Sequence, residues 1–245
     1  MRLNRDGSSE RVDDAVARDV SICIFVNDEP FRTLIASPSL LKELAIGHLF
    51  SEGVISEEQE IKSIDVKPLR IDVEIHNEID IDELLLGKSR LLTTACGLNS
   101  PISENELKNL RVSKVEKVDP SLIFDLMKEL NLKSLTYKET GGTHSAILFS
   151  EGEGVLAFAE DVGRHSALDK VIGSAFMDGV DFSKCVLASS GRLSGEMVLK
   201  VARVGVPLVC SVSAPLVSGL KIAEATGVTV VGFVRGKRMN HYIFS

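Results

Sequence analysis

Cys96 is the residue of this chain best placed for nucleophilic chemistry. It lies in the polar segment TTACGLNSP, residues 93–101, whose glycine and proline indicate an exposed loop. Ser103 and Glu106 form a capping-box pattern, which predicts that a helix begins directly after this loop. A helix N-terminus stabilises a thiolate, so the helix would lower the pKa of Cys96 if the loop folded back onto it. A reactive thiol and an incidental surface cysteine both fit this context.

The other three cysteines have a different setting. Cys23, Cys185 and Cys210 lie in apolar, strand-like runs, where cysteine behaves as a small core residue. The charged first 19 residues lack the apolar centre of a signal peptide, and the longest apolar runs are too short to cross a bilayer. The sequence therefore predicts a cytoplasmic protein with free thiols and no membrane span.

Three strand–turn–helix units in the last third of the chain could position a ligand. In each unit a short apolar run precedes a polar turn and then a helical pattern, the turns being residues 160–165, 190–195 and 213–215. Helix N-termini bind anions through backbone N–H groups, and Arg164 and Arg192 add positive charge. Open α/β sheets bind ligands at the edge where their strands end. We expect the binding site at that edge.

Other polar stretches could contact the same ligand. Gly142 and His144 precede a strand, and they could either approach a ligand or simply complete a turn. His165 follows Arg164 in the first turn. Residues 235–238 place two arginines and a lysine around a glycine, which fits either a phosphate-binding turn or a solvated hairpin tip.

Composition and spacing exclude several function classes. A net charge of −7 and the absence of tryptophan argue against nucleic-acid binding. The cysteines and histidines have no metal-ligand spacing and no C-x-x-C pair, so no zinc or other metal site is expected. Walker, G-x-G-x-x-G and G-x-S-x-G patterns are also absent, which argues against those nucleotide sites and against a serine hydrolase.

The N-terminal part of the chain has the pattern of a small β-rich unit. Residues 20–37 predict a hairpin, and Pro38 is expected to open a helix that buries His48 as a core residue rather than a ligand. Alternation over residues 60–92 predicts half-exposed antiparallel strands. These patterns divide the chain into a mobile arm, a β-rich domain and an α/β domain, residues 1–18, 19–118 and 119–245.

Several motifs together resemble the FdhD family, the formate dehydrogenase accessory sulfurtransferases. The resemblance is carried by TTACG, ETGGTHSA, EDVGRHSALDKVIG, SSGRLSGEMVLKVARVGVP and SAPLVSGLKIAEATGVTVVGFVRGKR, together with DVSICIFVNDEPFRTLIASPSLLKELAIGHLFSEGVI near the N-terminus. These motifs span residues 19 to about 243 in the family's order.

The resemblance implies an α/β fold whose C-terminal domain is a cytidine-deaminase-like three-layer structure without zinc. It implies a cytoplasmic homodimer that takes sulfane sulfur from a cysteine desulfurase and passes it to the molybdenum cofactor before that cofactor enters formate dehydrogenase. The cofactor, Mo-bis(molybdopterin guanine dinucleotide), would be a bound substrate, and a guanine nucleotide such as GDP would mimic it.

Site residues also follow from the resemblance. Cys96 matches the family's persulfide-bearing cysteine. The segment FVRGKR matches its cofactor-binding segment, which comprises Phe233, Val234, Arg235, Gly236, Lys237 and Arg238. Further candidates for cofactor binding are Gly142, His144, Arg164 and His165.

One departure from the family pattern affects the chemistry. Familiar members carry C-x-x-C in the loop, whereas Asn99 occupies the second cysteine position here. A disulfide within the loop is therefore excluded, although one thiolate suffices to accept and release a sulfur atom. The sequence leaves two further hypotheses, a non-catalytic chaperone for the cofactor and, ranked last, a thiol-dependent nucleotide hydrolase.

Overall fold

The computed structural model describes residues 1–76, 107, 109–113, 115 and 118–242, and it confirms a mixed α/β architecture. The helices described are α1 (Leu41–Glu52), α2 (Pro120–Lys133), α3 (Leu135–Thr140), α4 (Arg164–Met177), α5 (Gly195–Arg203) and α6 (Val217–Thr226). The strands described are β1 (Arg2–Leu3), β2 (Ser9–Glu10), β3 (Val20–Val26), β4 (Glu29–Ala36), β5 (Ile61–Lys67), β6 (Arg70–Ile75), β7 (His144–Ser150), β8 (Gly154–Asp161), β9 (Cys185–Ser189), β10 (Leu208–Ser211), β11 (Thr229–Arg235) and β12 (Arg238–Tyr242).

The N-terminal sheet has the strand order β4-β3-β6-β5. The predicted hairpin is confirmed, and its turn is tighter than expected because Asn27 and Asp28 both have positive φ, at 49° and 65°. β5 and β6 pair antiparallel, as the alternating pattern predicts, while residues 77–92 of that pattern lie outside the described residues. The exposed arm carries the short β1–β2 pair.

The C-terminal sheet has the order β12-β11-β10-β9-β7-β8. β9, β10 and β11 are parallel, whereas β7 runs antiparallel to both β8 and β9. Consequently β8 points in the same direction as β9, β10 and β11. The carboxyl ends of these four strands and the first residue of β7 share one edge of the sheet.

Helices cover both faces of this sheet. On one face, α2 buries Ile123, Leu126, Met127 and Leu130 against a core that includes Ile147 and Val231. On the other face, α4, α5 and α6 pack into a larger core that also contains β3, β4, β6 and α1. The two predicted domains therefore share one continuous hydrophobic core, and Asp119 caps α2 at the predicted boundary by accepting from Ser121 N at 2.8 Å.

One helix boundary was predicted wrongly. Pro38 lies outside α1, which begins at Leu41 because the preceding residue, Leu40, has left-handed backbone geometry with φ 50°. His48 is confirmed as a buried core residue. Within the part of the chain described above, no helix is both long enough and apolar enough to cross a membrane.

Buried polar contacts also tie the end of the N-terminal sheet to β8 and α4. Asp161, at the end of β8, accepts hydrogen bonds from Ser37 N at 2.9 Å and from Lys170 Nζ at 2.5 Å. Lys170 also donates to the carbonyl oxygen of Ser37 at 3.0 Å. The ammonium and carboxylate are fully buried, so each is stable there only because the other compensates its charge.

A candidate anion-binding site at the sheet edge

The three polar turns meet at the shared edge of the C-terminal sheet. His144 of β7 pairs with Asp161 of β8, and Ala146 pairs with Ser189 of β9. Ser189 in turn pairs with Ser211 of β10. The N-cap residues of α4, α5 and α6 make no side-chain capping bond, although Gly195 N, at the start of α5, donates to Ser218 Oγ at 3.1 Å.

Arg164 and Arg192 give this edge its positive charge. Arg164 is largely buried, and it lies so close to Gly191 that a Cβ there would sit 2.7 Å from the Arg164 Cβ. Glycine at 191 therefore makes room for the arginine. Burial and the neighbouring Arg192 lower the pKa of Arg164, while Glu196 partly offsets them. Arg164 opens α4 and Arg192 lies in the turn before α5, so the two guanidinium groups favour an anion beside them.

His144 lies next to the two arginines. Its Nδ1 is 3.1 Å from Ser190 Oγ, and Ser190 Oγ also accepts a hydrogen bond from Ser145 N at 2.9 Å. Burial, reinforced by the charges of Arg164 and Arg192, lowers the pKa of His144 below its usual 6.5. His144 is therefore a neutral imidazole at physiological pH.

A cavity of about 380 Å³ opens beside His144 and Ser190. This volume suits a small organic ligand. Its wall combines apolar, hydroxyl, amide and backbone groups, supplied by residues that include Met127, Leu130, Asn131, Ser134, Tyr137, Gly141, Gly142 and Ser145. The cavity therefore offers both an apolar surface and directional hydrogen-bonding groups beside His144.

Gly142 contributes through the absence of a side chain. A Cβ at this position would lie 2.8 Å from the Cβ of Ala17, so glycine lets the N-terminal segment pack closely there. Ala17 and Arg18 line a neighbouring cavity of about 390 Å³ that shares Thr143 with the first. The sequence pattern indicated that a ligand could approach the backbone closely at Gly142. In the structure, Ala17 of the N-terminal arm occupies that position.

The FVRGKR segment lies along the same edge, at the end of β11, with β10 and β9 between it and β7. Phe233 has a positive φ of 54° and donates its N–H to the carbonyl oxygen of Ser213 at 3.0 Å. Arg235 Nε donates to the carbonyl oxygen of Val212 at 2.6 Å. Arg235, Gly236, Lys237 and Arg238 are exposed, whereas the Val234 side chain is buried under α2 and leaves only its backbone to a ligand.

His165 faces a different part of the molecule from His144. It does not line the 380 Å³ cavity, and its charged neighbours include Lys200, Asp169 and Glu52. Burial, together with Arg164 and Lys200, lowers the pKa of His165 to about 3. Its Nε2 lies 3.3 Å from Glu196 Oε2 without hydrogen-bonding geometry, so this neutral imidazole forms no ion pair.

A buried charged network behind the site was missed at the sequence level. Lys200 Nζ donates to Asp169 Oδ1 at 2.8 Å and to Ser51 Oγ at 2.8 Å, and Asp169 Oδ2 is 2.8 Å from His48 Nδ1. Burial alone would raise the pKa of Asp169, but Lys200 and His48 outweigh it, so the pKa is lowered. The available signal was the presence of charges within the apolar patterns of α4 and α5.

The cysteines other than Cys96 differ in their reactivity. Cys185 and Cys210 are confirmed as core residues, and burial raises the pKa of the first thiol to about 11 and of the second to about 12. Cys23 is only partly buried, contrary to prediction, because its side chain points to the outer face of the N-terminal sheet. Its Sγ lies 3.5 Å from Thr33 Oγ1. Cys96 and Asn99 lie outside the described residues.

Potential metal ligands do not cluster in the described part of the chain. Nowhere in residues 1–76 or 118–242 do three histidine, cysteine or acidic side chains converge in an arrangement that could hold a metal ion. The chemistry of the edge is that of cations and hydrogen-bond donors, which suits a phosphorylated ligand.

Comparison with known proteins gives consistent matches over nearly the whole chain. The model of the FdhD/NarQ family matches residues 17–244. A protein named sulfur carrier protein FdhD from Shouchella clausii is 38% identical over 244 residues, covering 96% of this chain and 90% of that protein. A protein of the same name from Methanothermobacter thermautotrophicus is 38% identical over 247 residues, covering 97% and 92%.

A solved structure shares the fold. A crystal structure from Desulfotalea psychrophila, described as a formate dehydrogenase accessory protein, superposes with a TM-score of 0.78 at 28% identity. The match covers 98% of this chain and 93% of the other.

Proposed function

The chain belongs to the FdhD/NarQ family, and from this membership we propose that it is a sulfur carrier that supports formate dehydrogenase maturation. In this proposal it is a sulfurtransferase that accepts sulfane sulfur from a cysteine desulfurase as a Cys96 persulfide. It then transfers the sulfur to its bound substrate, Mo-bis(molybdopterin guanine dinucleotide). The observation that carries the proposal is the near-full-length similarity to proteins named sulfur carrier protein FdhD.

The first chemical step is a thiol exchange. The Cys96 thiolate attacks the outer sulfur of the donor persulfide, the S–S bond of the donor breaks, and the donor cysteine leaves as a thiolate. One S–S bond forms and one breaks, so no external oxidant or reductant is required. Because Asn99 replaces the second cysteine, no thiol three residues away can displace the sulfur from the Cys96 persulfide. The sulfur therefore stays on Cys96 until the acceptor takes it.

The sheet edge supports the second half of the proposal. Mo-bis(molybdopterin guanine dinucleotide) carries pyrophosphate groups, and Arg164, Arg192 and the exposed side chains of residues 235–238 supply cations along one edge. The 380 Å³ cavity beside His144 would take an organic part of the ligand. We also propose a cytoplasmic homodimer, as the sequence resemblance implies.

A persulfide assay tests the sulfur-carrier proposal directly. After incubation with a cysteine desulfurase and cysteine, mass spectrometry is expected to find one added sulfur atom on the peptide that contains Cys96. Cys96→Ala should remove that sulfur and abolish formate dehydrogenase maturation in a strain that lacks the protein. Cys23→Ala is the matched control, because it removes a thiol that is only partly buried. Full maturation with Cys96→Ala would overturn the proposal.

A cofactor chaperone is the second candidate function, and Asn99 is the observation that favours it. A protein that binds the cofactor without moving sulfur needs no resolving cysteine. The two functions differ in one measurement, since a chaperone acquires no sulfur on Cys96 but still binds a guanine nucleotide. Asn99→Cys provides a further comparison, because a restored C-x-x-C pair would allow the loop to release sulfur by forming a disulfide.

A further inference from the structure

Ser190 Oγ makes two hydrogen bonds, and the direction of one of them is fixed. A backbone N–H can only donate, so Ser190 Oγ accepts from Ser145 N. The hydroxyl proton of Ser190 can then be donated to His144 Nδ1, which lies 3.1 Å away. When it is, Nδ1 is the acceptor nitrogen of His144. A neutral imidazole with an unprotonated Nδ1 carries its proton on Nε2.

The surroundings of His144 explain why a neutral donor is useful here. A third cation beside Arg164 and Arg192 would be repelled by both, and burial disfavours it further. A neutral N–H donor adds direction without adding charge. His144 lines the 380 Å³ cavity, so a ligand that enters the cavity lies beside the imidazole.

We propose that Ser190 is a positioning residue that fixes the tautomer of His144, and that His144 donates its Nε2–H to a phosphoryl oxygen held by Arg164 and Arg192. The proposal deepens the function given above and rests on it only in taking the ligand to be phosphorylated. In this proposal the arginines bind the negative charge of the phosphoryl group, and the histidine fixes its orientation. The residues come from β7, from the turn after β9 and from α4, so the phosphoryl group would sit where these elements meet.

The tautomer is measured by ¹⁵N NMR of the imidazole nitrogens in the ligand-free protein. The expected spectrum has a protonated Nε2 and an unprotonated Nδ1 for His144, assigned by its loss in His144→Gln. In Ser190→Ala the two neutral tautomers should mix, because the hydrogen bond that selects one of them is gone. A His144 with its proton on Nδ1, or a tautomer that Ser190→Ala leaves unchanged, would overturn the role of Ser190.

Ligand binding tests the phosphoryl contact, with pyrophosphate and GDP as the probes in calorimetry. Glutamine has an amide N–H near the position of imidazole Nε2 and has no tautomer to select. His144→Gln should therefore keep affinity for both probes within about threefold. His144→Phe should weaken both by about tenfold or more, because the donor is lost.

The double variant separates positioning from simple structural damage. Ser190→Ala alone should weaken both probes by about three- to tenfold, and it should have no further effect in the His144→Gln background. An equal loss in both backgrounds would show that Ser190 acts on the fold and not through His144. Weakened GDP binding with unchanged pyrophosphate binding in His144→Phe would show that the contact is not to a phosphoryl oxygen. Sulfur carriage is tested separately, by mass spectrometry of the Cys96 peptide from the protein without substitutions. A failure there leaves the binding results unaffected.

Discussion

Gly47 of α1 and Gly173 of α4 meet where the two helices cross, and each lies directly against the backbone of the other helix. A Cβ on Gly47 would lie 1.8 Å from the carbonyl oxygen of Asp169, and a Cβ on Gly173 would lie 1.9 Å from that of Glu43. This contact sets the distance between the N-terminal unit and the helix that begins at Arg164. The glycine pair therefore helps to position α4, and with it Arg164, although neither glycine lies at the sheet edge.

Gly47→Ala is expected to lower the free energy of unfolding by about 3 kcal/mol or more. The added methyl group has no space, so the two helices must separate and lose packing along their whole contact, a cost that exceeds ordinary overpacking. Urea denaturation followed by circular dichroism measures the change. Lys42→Ala, on the exposed side of α1, is the control and should change stability by about 0.5 kcal/mol or less. Equal stabilities for the two variants would contradict the close contact.

Lys200→Met is expected to destabilise the protein by about 3–5 kcal/mol, because it leaves the buried Asp169 carboxylate without its main counter-charge. The double variant Lys200→Met with Asp169→Leu should recover part of that loss, since it buries no uncompensated charge. Chemical denaturation of both variants supplies the comparison. Losses that simply add would show that the two side chains are not coupled.

Acidification is expected to destabilise the protein below about pH 6.5. The folded-state pKa values of His48, His144 and His165 are all lowered, chiefly by burial, so below that pH the unfolded chain binds more protons than the folded one. The free energy of unfolding then falls with decreasing pH by about 1.4 kcal/mol per unit for each histidine, until its folded-state pKa is reached. Above about pH 7.5 the histidines of the unfolded chain are also neutral, so the three histidines should contribute almost no slope.

Single histidine variants show which side chain causes the pH dependence of stability. His165, whose folded-state pKa is about 3, should contribute throughout the range from pH 6 to pH 4. Denaturation midpoints of His165→Gln should therefore depend less steeply on pH over this range. His241→Gln, which removes an exposed histidine of β12, is the matched control. An unchanged slope in His165→Gln would mean that this imidazole is protonated in the folded state.

Arg192→Gln is expected to weaken pyrophosphate and GDP binding by about ten- to one-hundredfold, since hydrogen bonds to charged groups contribute about 1.5–3 kcal/mol. The same variant should reduce the dependence of binding on salt concentration, because a cation that faces the ligand is lost. Lys184→Gln removes an exposed cation at the opposite edge of the sheet and should leave affinity unchanged. A similar loss in both variants would indicate a nonspecific effect of net charge.

Most elements of the fold were predictable because their signals are local. Apolar periodicity identified the strand at Cys185–Ser189 and the helix at Arg164–Met177, and glycine marked the end of α6 at Gly227. Pro38 misled because proline suits a helix start in general, whereas the left-handed Leu40 delays this helix. Cys23 misled because an apolar strand does not reveal whether both faces of its sheet are covered.

The sequence by itself determined the family, the order of most strands and helices, and the candidate residues at the three polar turns, but it did not predict β1, β2 or α3. Only the tertiary structure paired His144 with Ser190, Asp169 with Lys200, and Gly47 with Gly173. Local patterns depend on neighbours a few residues away, and these can be read along the chain. Pairs separated by tens of residues depend on how strands align and helices cross, which is decided by packing of the whole core.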